Sequence, residues 1–314
     1  MTTIRDIAKK TGYSISTVSH ALNNRPRVSE KTKKEILQVA HKLNYIPNNK
    51  AISLSTGKSY SIGIIIPYTK KNSYYDSLIT SIISECFLND YRPTFLPTNY
   101  DKKKELEYLR LFASKEFDGL IVTSAASDYK VIESYLKYGP IVSCEHTGNS
   151  KVPFVQLEKE AAFRPIIENL QKKGIKKMAC TFSREPFSSL GARETYQTFE
   201  SAIENFSSKY TFSNCRNYQD GIKAASYFHK YDSSIECIFA NSDEIAAGMI
   251  EFYTKHSTNP QPLIIGQNND SWSKALNFPS IDFHLASLGS TAVQLCLSGE
   301  HKRIYVPSNY IEHV

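Results

Sequence analysis

From Ser61 to the C-terminus, short apolar runs alternate with amphipathic stretches, and few folds accept that alternation. Strands are predicted at 62–66, 94–96, 119–123, 141–144, 177–182, 235–240 and 263–266. Helical periodicity falls between them, for example at 75–88, 102–112, 161–171, 192–206, 243–253 and 287–297. Strand and helix in strict alternation build parallel sheets with crossover helices, so this region is predicted to be α/β. Its length suits either one large sheet or two smaller lobes.

The first sixty residues follow another pattern. Thr3 with Asp6 three residues on forms a capping-box pattern, and Ile4, Ile7 and Ala8 then recur at helical spacing, predicting a helix from Ile4 to near Thr11 that Gly12 ends. Ser14 is the expected N-cap of a second helix with Val18, Ala21 and Leu22 inward and Ser16, Thr17, Ser19, His20 and Asn23 outward. A third helix opens at Ser29, carries Ile36, Val39, Ala40 and Leu43 on one face, and stops before Pro47. Two helices joined by a short glycine-containing turn make a helix-turn-helix, whose second helix is sized to lie in a major groove.

Charge separates the two regions further. Residues 1–60 hold eleven Lys/Arg against three Asp/Glu, a balance of +8, whereas residues 61–314 hold 27 basic and 28 acidic side chains, a balance of −1. A basic end on a neutral body points to a polyanionic partner for that end. A membrane surface fits poorly, because an interfacial helix needs a broad apolar face and these stripes suffice only for mutual packing. A groove reader needs short donors and acceptors near the helix N-terminus, which Ser16, Thr17 and His20 supply.

The six cysteines are scattered, with no C-x-x-C pair, and read as reduced, buried thiols. Neither a G-x-x-x-x-G-K-S/T nor a G-x-G-x-x-G loop, a G-x-S-x-G elbow or an H-E-x-x-H pair occurs. Enzymatic activity, a metal and a cofactor are therefore not expected. No apolar run reaches the ~18 residues of a membrane span, and the start of the chain lacks the layout of a signal peptide. The expected location is the cytoplasm.

The stretch from Thr3 to Asn23, with Thr17-Val-Ser-His-Ala-Leu-Asn23 inside it, followed by Val28-Ser-Glu-Lys-Thr and by Leu43-Asn-Tyr-Ile-Pro-Asn48, resembles the LacI/GalR family of bacterial transcription regulators. That resemblance implies base reading by Ile15, Ser16 and His20, with Thr17, Asn23 and Tyr45 contacting phosphates or holding the helices in register. Thr3 and Ser14, at the starts of the first two helices, complete the DNA-contacting set. Residues 48–56 resemble the family's hinge helix, in which Leu54 wedges between bases of the minor groove, paired with its twin from a second subunit, and Ala51 packs close beside it. A segment this short is marginal as an isolated helix, so its folding can couple to DNA.

Looser resemblance continues in Ser61-Ile-Gly-Ile-Ile-Ile-Pro, Phe117-Asp-Gly-Leu-Ile-Val and Ala240-Asn-Ser-Asp-Glu-Ile-Ala-Ala-Gly. It implies a two-lobed, periplasmic-binding-protein-like core. The resulting division is a headpiece at 1–47, a hinge and linker at 48–60, and an effector-binding and dimerisation core at 61–314. Within the core, one lobe spans about 61–160 plus a C-terminal crossover and the other about 161–285. Carried over by position, Tyr74, Tyr75, Ser189, Arg193, Tyr218, Asp243 and Asn268 are the candidate effector contacts. Relatives usually carry Gly-Tyr-Asp at Gly266-Gln-Asn268 and Asp-Arg at Glu145-His146, so the ligand does not carry over from any one of them.

The expected protein is a homodimeric regulator, most simply a repressor, of pseudo-palindromic operator DNA, because a single headpiece makes too small an interface for tight specific binding. A small molecule, a sugar or sugar phosphate, would set its affinity. Two other readings stay open on sequence: a sugar-binding or sugar-modifying protein with a vestigial headpiece, and a DNA-binding regulator with no effector.

Overall fold

The computed structural model describes residues 2–23, 26–46, 56–67, 73–188, 190–256 and 260–313. Contacts divide the chain into a unit of residues 1–59 and a unit of residues 60–314.

The first unit contains α1 (Ile4–Thr11), α2 (Ile15–Leu22) and α3 (Glu30–Lys42). Local chemistry sets each boundary. The amide and hydroxyl of Thr3 both donate to Asp6 Oδ2 at 2.8 Å, opening α1. Gly12 closes it at φ +76°, a left-handed conformation in which a side chain would be strained, with its N–H donating to the Ala8 carbonyl. Ser14 Oγ accepts from the Thr17 amide at 3.1 Å and Ser29 Oγ from the Thr32 amide at 3.2 Å, capping α2 and α3. Ile7, Val18 and Ile36 are fully buried, with Ala8, Ala21 and Ala40 filling the space between them.

The second unit is built on two six-stranded sheets. The first contains β1 (Ser61–Ile66), β2 (Arg92–Pro97), β3 (Gly119–Val122), β4 (Ile141–Ser143), β5 (Phe154–Leu157) and β11 (Arg303–Val306), in the order β11-β5-β4-β3-β1-β2, all parallel. The second contains β6 (Met178–Thr181), β7 (Thr211–Phe212), β8 (Cys237–Phe239), β9 (Leu263–Gln267), β10 (Ser280–Asp282) and β12 (Asn309–Ile311), in the order β12-β10-β9-β8-β6-β7. Only β12 is antiparallel to its neighbour. Helices α4 (Ser73–Leu88), α5 (Lys102–Ala113) and α6 (Tyr129–Glu133) belong with the first sheet. After α7 (Lys159–Lys172) come α8 (Leu190–Ala202), α9 (Tyr218–Tyr231), α10 (Asp243–Lys255) and α11 (Ser271–Leu276) with the second.

The chain passes between the sheets three times: after β5, after β10 and after β11. Helix α12 (Leu285–Ser298) follows the second sheet yet packs on α4 and on the first sheet, ahead of β11. Gly289 lets α12 approach α4, since a Cβ there would press on the Leu78 carbonyl and Ser81. Periodicity did not predict α9 because its buried face is Gly221, Ala224, Ala225 and Phe228, small residues with little apolar signal. Strands β5, β7, β10, β11 and β12, of two to four residues, were also not predicted; β4 and β8 are as short but lie in longer apolar runs.

Among the described residues, no helix is long and apolar enough to cross a membrane and no cluster of His, Cys, Asp or Glu is arranged to hold a metal. All six cysteines are buried thiols.

Candidate functional site

In the headpiece, Ser14, Ile15 and Ser16 stand exposed at the N-terminus of α2, Ile15 at 48% despite its apolar side chain. His20 lies one turn beyond Ser16 on the same face and is half-buried, as is Thr17. The Thr17 hydroxyl pairs with Ser14 Oγ at 2.8 Å. Asn23 donates through Nδ2 to the Ser19 carbonyl at 2.9 Å, closing α2, and Thr3 is exposed at the start of α1. Tyr45 packs against the three-helix core. The end of α2 that presents polar groups is also the end where free backbone amides favour an anion. Ala51 and Leu54 lie outside the described residues.

In the second unit a cavity of about 570 Å³ opens between the two sheets, at the carboxyl ends of their parallel strands. An open α/β sheet places its ligand crevice there, and the volume is that of a small-molecule site. Of the expected contacts, Tyr74, Tyr75 and Asn268 line it. The two tyrosine rings meet edge to face at 5.1 Å, and burial pushes both hydroxyls far above the usual tyrosine range. Asn268, at φ +91°, buries an Nδ2 that has no hydrogen-bond partner. Ser189 lies outside the described residues.

Three expected contacts are placed elsewhere. Arg193 is exposed, its guanidinium 6.0 Å from the Phe187 ring. The Tyr218 hydroxyl donates to Glu251 while its ring lies 5.6 Å from that of Trp272. Asp243 is fully buried beneath the turn that carries Asn268, accepting from Ser280 Oγ at 2.6 Å and from the Asp270 amide at 2.7 Å. Burial drives its pKa up to about 6 against the pull of these hydrogen bonds. Gly266 sits against this carboxylate, where a Cβ would overlap Oδ1. Position along the chain placed these residues near the cleft, but each lies on a helix and none lines the cavity.

The cavity instead gathers charged side chains that follow strand ends. Glu145, just after β4, accepts from the Ala125 amide at 2.9 Å, from Ser124 Oγ at 3.0 Å and from the Tyr129 hydroxyl at 3.1 Å. Arg184, just after β6, reaches across from the other lobe to within 3.6 Å of Glu145 Oε2 and lies 5.0 Å from the centre of the Tyr100 ring. His146 Nδ1 stands 2.7 Å from Glu194 Oε1, an ion-pair distance at an angle too poor for a hydrogen bond. Lys159, at the start of α7, also faces the cavity. Glu145, Arg184 and Lys159 are not among the contacts expected from sequence; the carboxyl ends of the predicted strands were the signal for the first two, whereas Lys159 follows a strand that periodicity missed.

Residues 3–48 match the family model for bacterial regulatory proteins of the lacI family, and residues 59–272 match the model for periplasmic binding proteins and the sugar-binding domain of the LacI family. The chain is 35% identical to catabolite control protein B of Bacillus subtilis (strain 168) over 310 residues, covering 99% of each chain. It superposes with a TM-score of 0.82 and 18% identity on the lac repressor dimer bound to operator and the anti-inducer ONPF, covering 99% of this chain and 98% of that one. A LacI-family regulator from Lactobacillus casei with bound sucrose matches with a TM-score of 0.71 and 17% identity over 81% of this chain and 98% of that one.

Proposed function

Because this chain belongs to the LacI family of bacterial regulatory proteins, we propose that it is a sequence-specific repressor whose operator affinity is set by a small molecule of the sugar class bound between its two lobes. The observation that carries the DNA half is the exposed N-terminal end of α2, with Ile15 and Ser16 outward, in a stretch of sixty residues whose net charge is +8. An isoleucine left 48% exposed beside polar groups suits contact with a thymine methyl, and Ser16 and His20 suit hydrogen bonds to base edges. Thr3, Ser14, Thr17, Asn23 and Tyr45 lie where phosphate contacts and helix register are set, and Ala51 and Leu54 supply the minor-groove contact.

Two copies bind one pseudo-palindromic site, each headpiece taking a half-site. In the core, Tyr74 and Tyr75 offer apolar faces to a sugar ring and Asn268 offers an unpaired amide. A ligand acts through its differential affinity for two arrangements of the lobes, so one that prefers the DNA-bound arrangement co-represses and one that prefers the other induces. The crystallised sucrose complex of the Lactobacillus casei relative supports a sugar in this cleft.

Selection from a random duplex pool with the full-length chain tests the reading. Enrichment of a two-fold symmetric sequence, altered at matching positions in both half-sites by His20→Ala, is expected. A pool that stays unenriched through successive rounds would overturn it.

A further inference from the structure

The two carboxylates that line the cleft each hold partners within the chain. Glu145 takes three hydrogen bonds from its own lobe and faces Arg184. Asp220 accepts from the Arg216 amide at 3.1 Å and pairs with Lys223 at 2.9 Å. Asp243, which lies outside the cavity lining, spends its oxygens on Ser280 and Asp270. The hydroxyl protons of a neutral polyol need acceptors, and these carboxylates already hold donors of the chain itself.

What is left unmet is donor capacity. The Lys159 ammonium faces the cavity, and among the described residues it has neither a hydrogen bond nor an ion pair. Asn268 adds a buried Nδ2 with no acceptor. Arg184 also lines the cavity, donating to Ser124 Oγ at 3.4 Å and standing 3.6 Å from Glu145 Oε2, so it adds positive charge beside Lys159. Burial first, then the charge of Arg184, holds the Lys159 pKa below the usual lysine range, and Glu194 and Glu145 oppose that shift incompletely. A half-buried ammonium whose charge is only partly compensated carries a cost, and an incoming anion would lower it.

We propose that the small molecule taken by this cleft carries an oxyanion, a phosphate ester or a carboxylate, received by the Lys159 ammonium with Arg184 beside it and the Asn268 amide as a further donor. This rests on the reading of the cleft as an effector site. Charge-assisted hydrogen bonds to an oxyanion are about twice as strong as neutral ones, so the charged group supplies much of the selectivity and Tyr74 and Tyr75 hold the apolar ring face.

Calorimetric titration of the full chain with matched ligands tests this: glucose and sucrose as neutral probes, glucose 6-phosphate and sucrose 6-phosphate as phosphate esters, gluconate as a carboxylate, and inorganic phosphate alone. A charged member is expected to bind at least about tenfold tighter than its neutral counterpart, and the arm that responds assigns phosphate or carboxylate. Lys159→Gln should abolish that preference and Lys159→Arg should retain it, with melting of both unliganded variants showing that the fold is intact. Equal binding of neutral and charged partners, or an undiminished preference in Lys159→Gln, overturns the oxyanion and leaves the effector site standing. If neither series binds, the effector reading falls together with it.

Discussion

At the scale of single residues, Asp243 shows how a side chain outside a cleft can govern it. Its carboxylate holds Ser280 Oγ and the Asp270 amide, and Ser280 Oγ in turn accepts from the Asn269 amide at 3.0 Å, so the turn bearing Asn268 hangs from one buried acid. The folded-state pKa of about 6 lies above the ordinary 3.8, so the folded chain keeps this proton where the unfolded chain has lost it. The stabilisation from that proton is full below about pH 4 and is lost as pH rises through about 6, an effect on the order of 2–3 kcal/mol at most. Urea midpoints of wild type and Asp243→Asn across this range should therefore diverge toward acid, with the wild type gaining. Parallel curves would mean that Asp243 does not titrate there. Sequence position brought Asp243 to notice but could not show that it faces inward beneath Gly266, because that depends on how α10 meets β9. Ser14 and Gly12 were legible for the opposite reason: caps and left-handed turns are set by neighbours within four residues.

At the scale of elements, the same contrast separates helices with large apolar stripes from those packed through small residues. Helices α1 to α3 and α4 announce themselves by Ile, Val and Leu at helical spacing, and their bounds could be read closely. Helix α9 could not, since it meets α10 through glycine: a Cβ on Gly221 would overlap the Ile245 carbonyl, and one on Gly248 would overlap the Tyr218 carbonyl. Gly248→Val is expected to force the helices apart at a cost of about 1–3 kcal/mol, read as a lowered thermal midpoint. Ligand affinity should fall with it, because Asn217 and Ser242, which cap these helices, line the cleft. Retained stability would place the crossing elsewhere. The hinge offers a complementary test: Leu54→Ala should reduce operator bending in gel-phasing assays and weaken specific DNA binding while leaving titrations of the cleft unchanged. Unaltered bending would remove the wedge.

At the scale of the whole molecule, charge assigns the two units different work. The +8 of residues 1–60 and the −1 of residues 61–314 mean that nearly all attraction to a polyanion originates in the headpiece. DNA affinity should then fall steeply with salt, log K losing about 0.9 per tenfold salt for each phosphate neutralised, while binding of an uncharged ligand in the cleft should barely respond. The source of the slope can be located. Lys31 and Lys34 are exposed in the headpiece and Lys172 and Lys173 are exposed in the core. If the headpiece alone meets the duplex, Lys31→Gln with Lys34→Gln should reduce the slope of the full-length protein for any duplex, matched or unmatched to the operator, and Lys172→Gln with Lys173→Gln should leave it unchanged. Both pairs remove the same formal charge, so a net-charge effect would lower the slope equally in each. An equal loss would place the core on the DNA and require a second contact surface, whereas a loss confined to the headpiece pair ties the salt response to the three-helix unit that also carries Ser16 and His20.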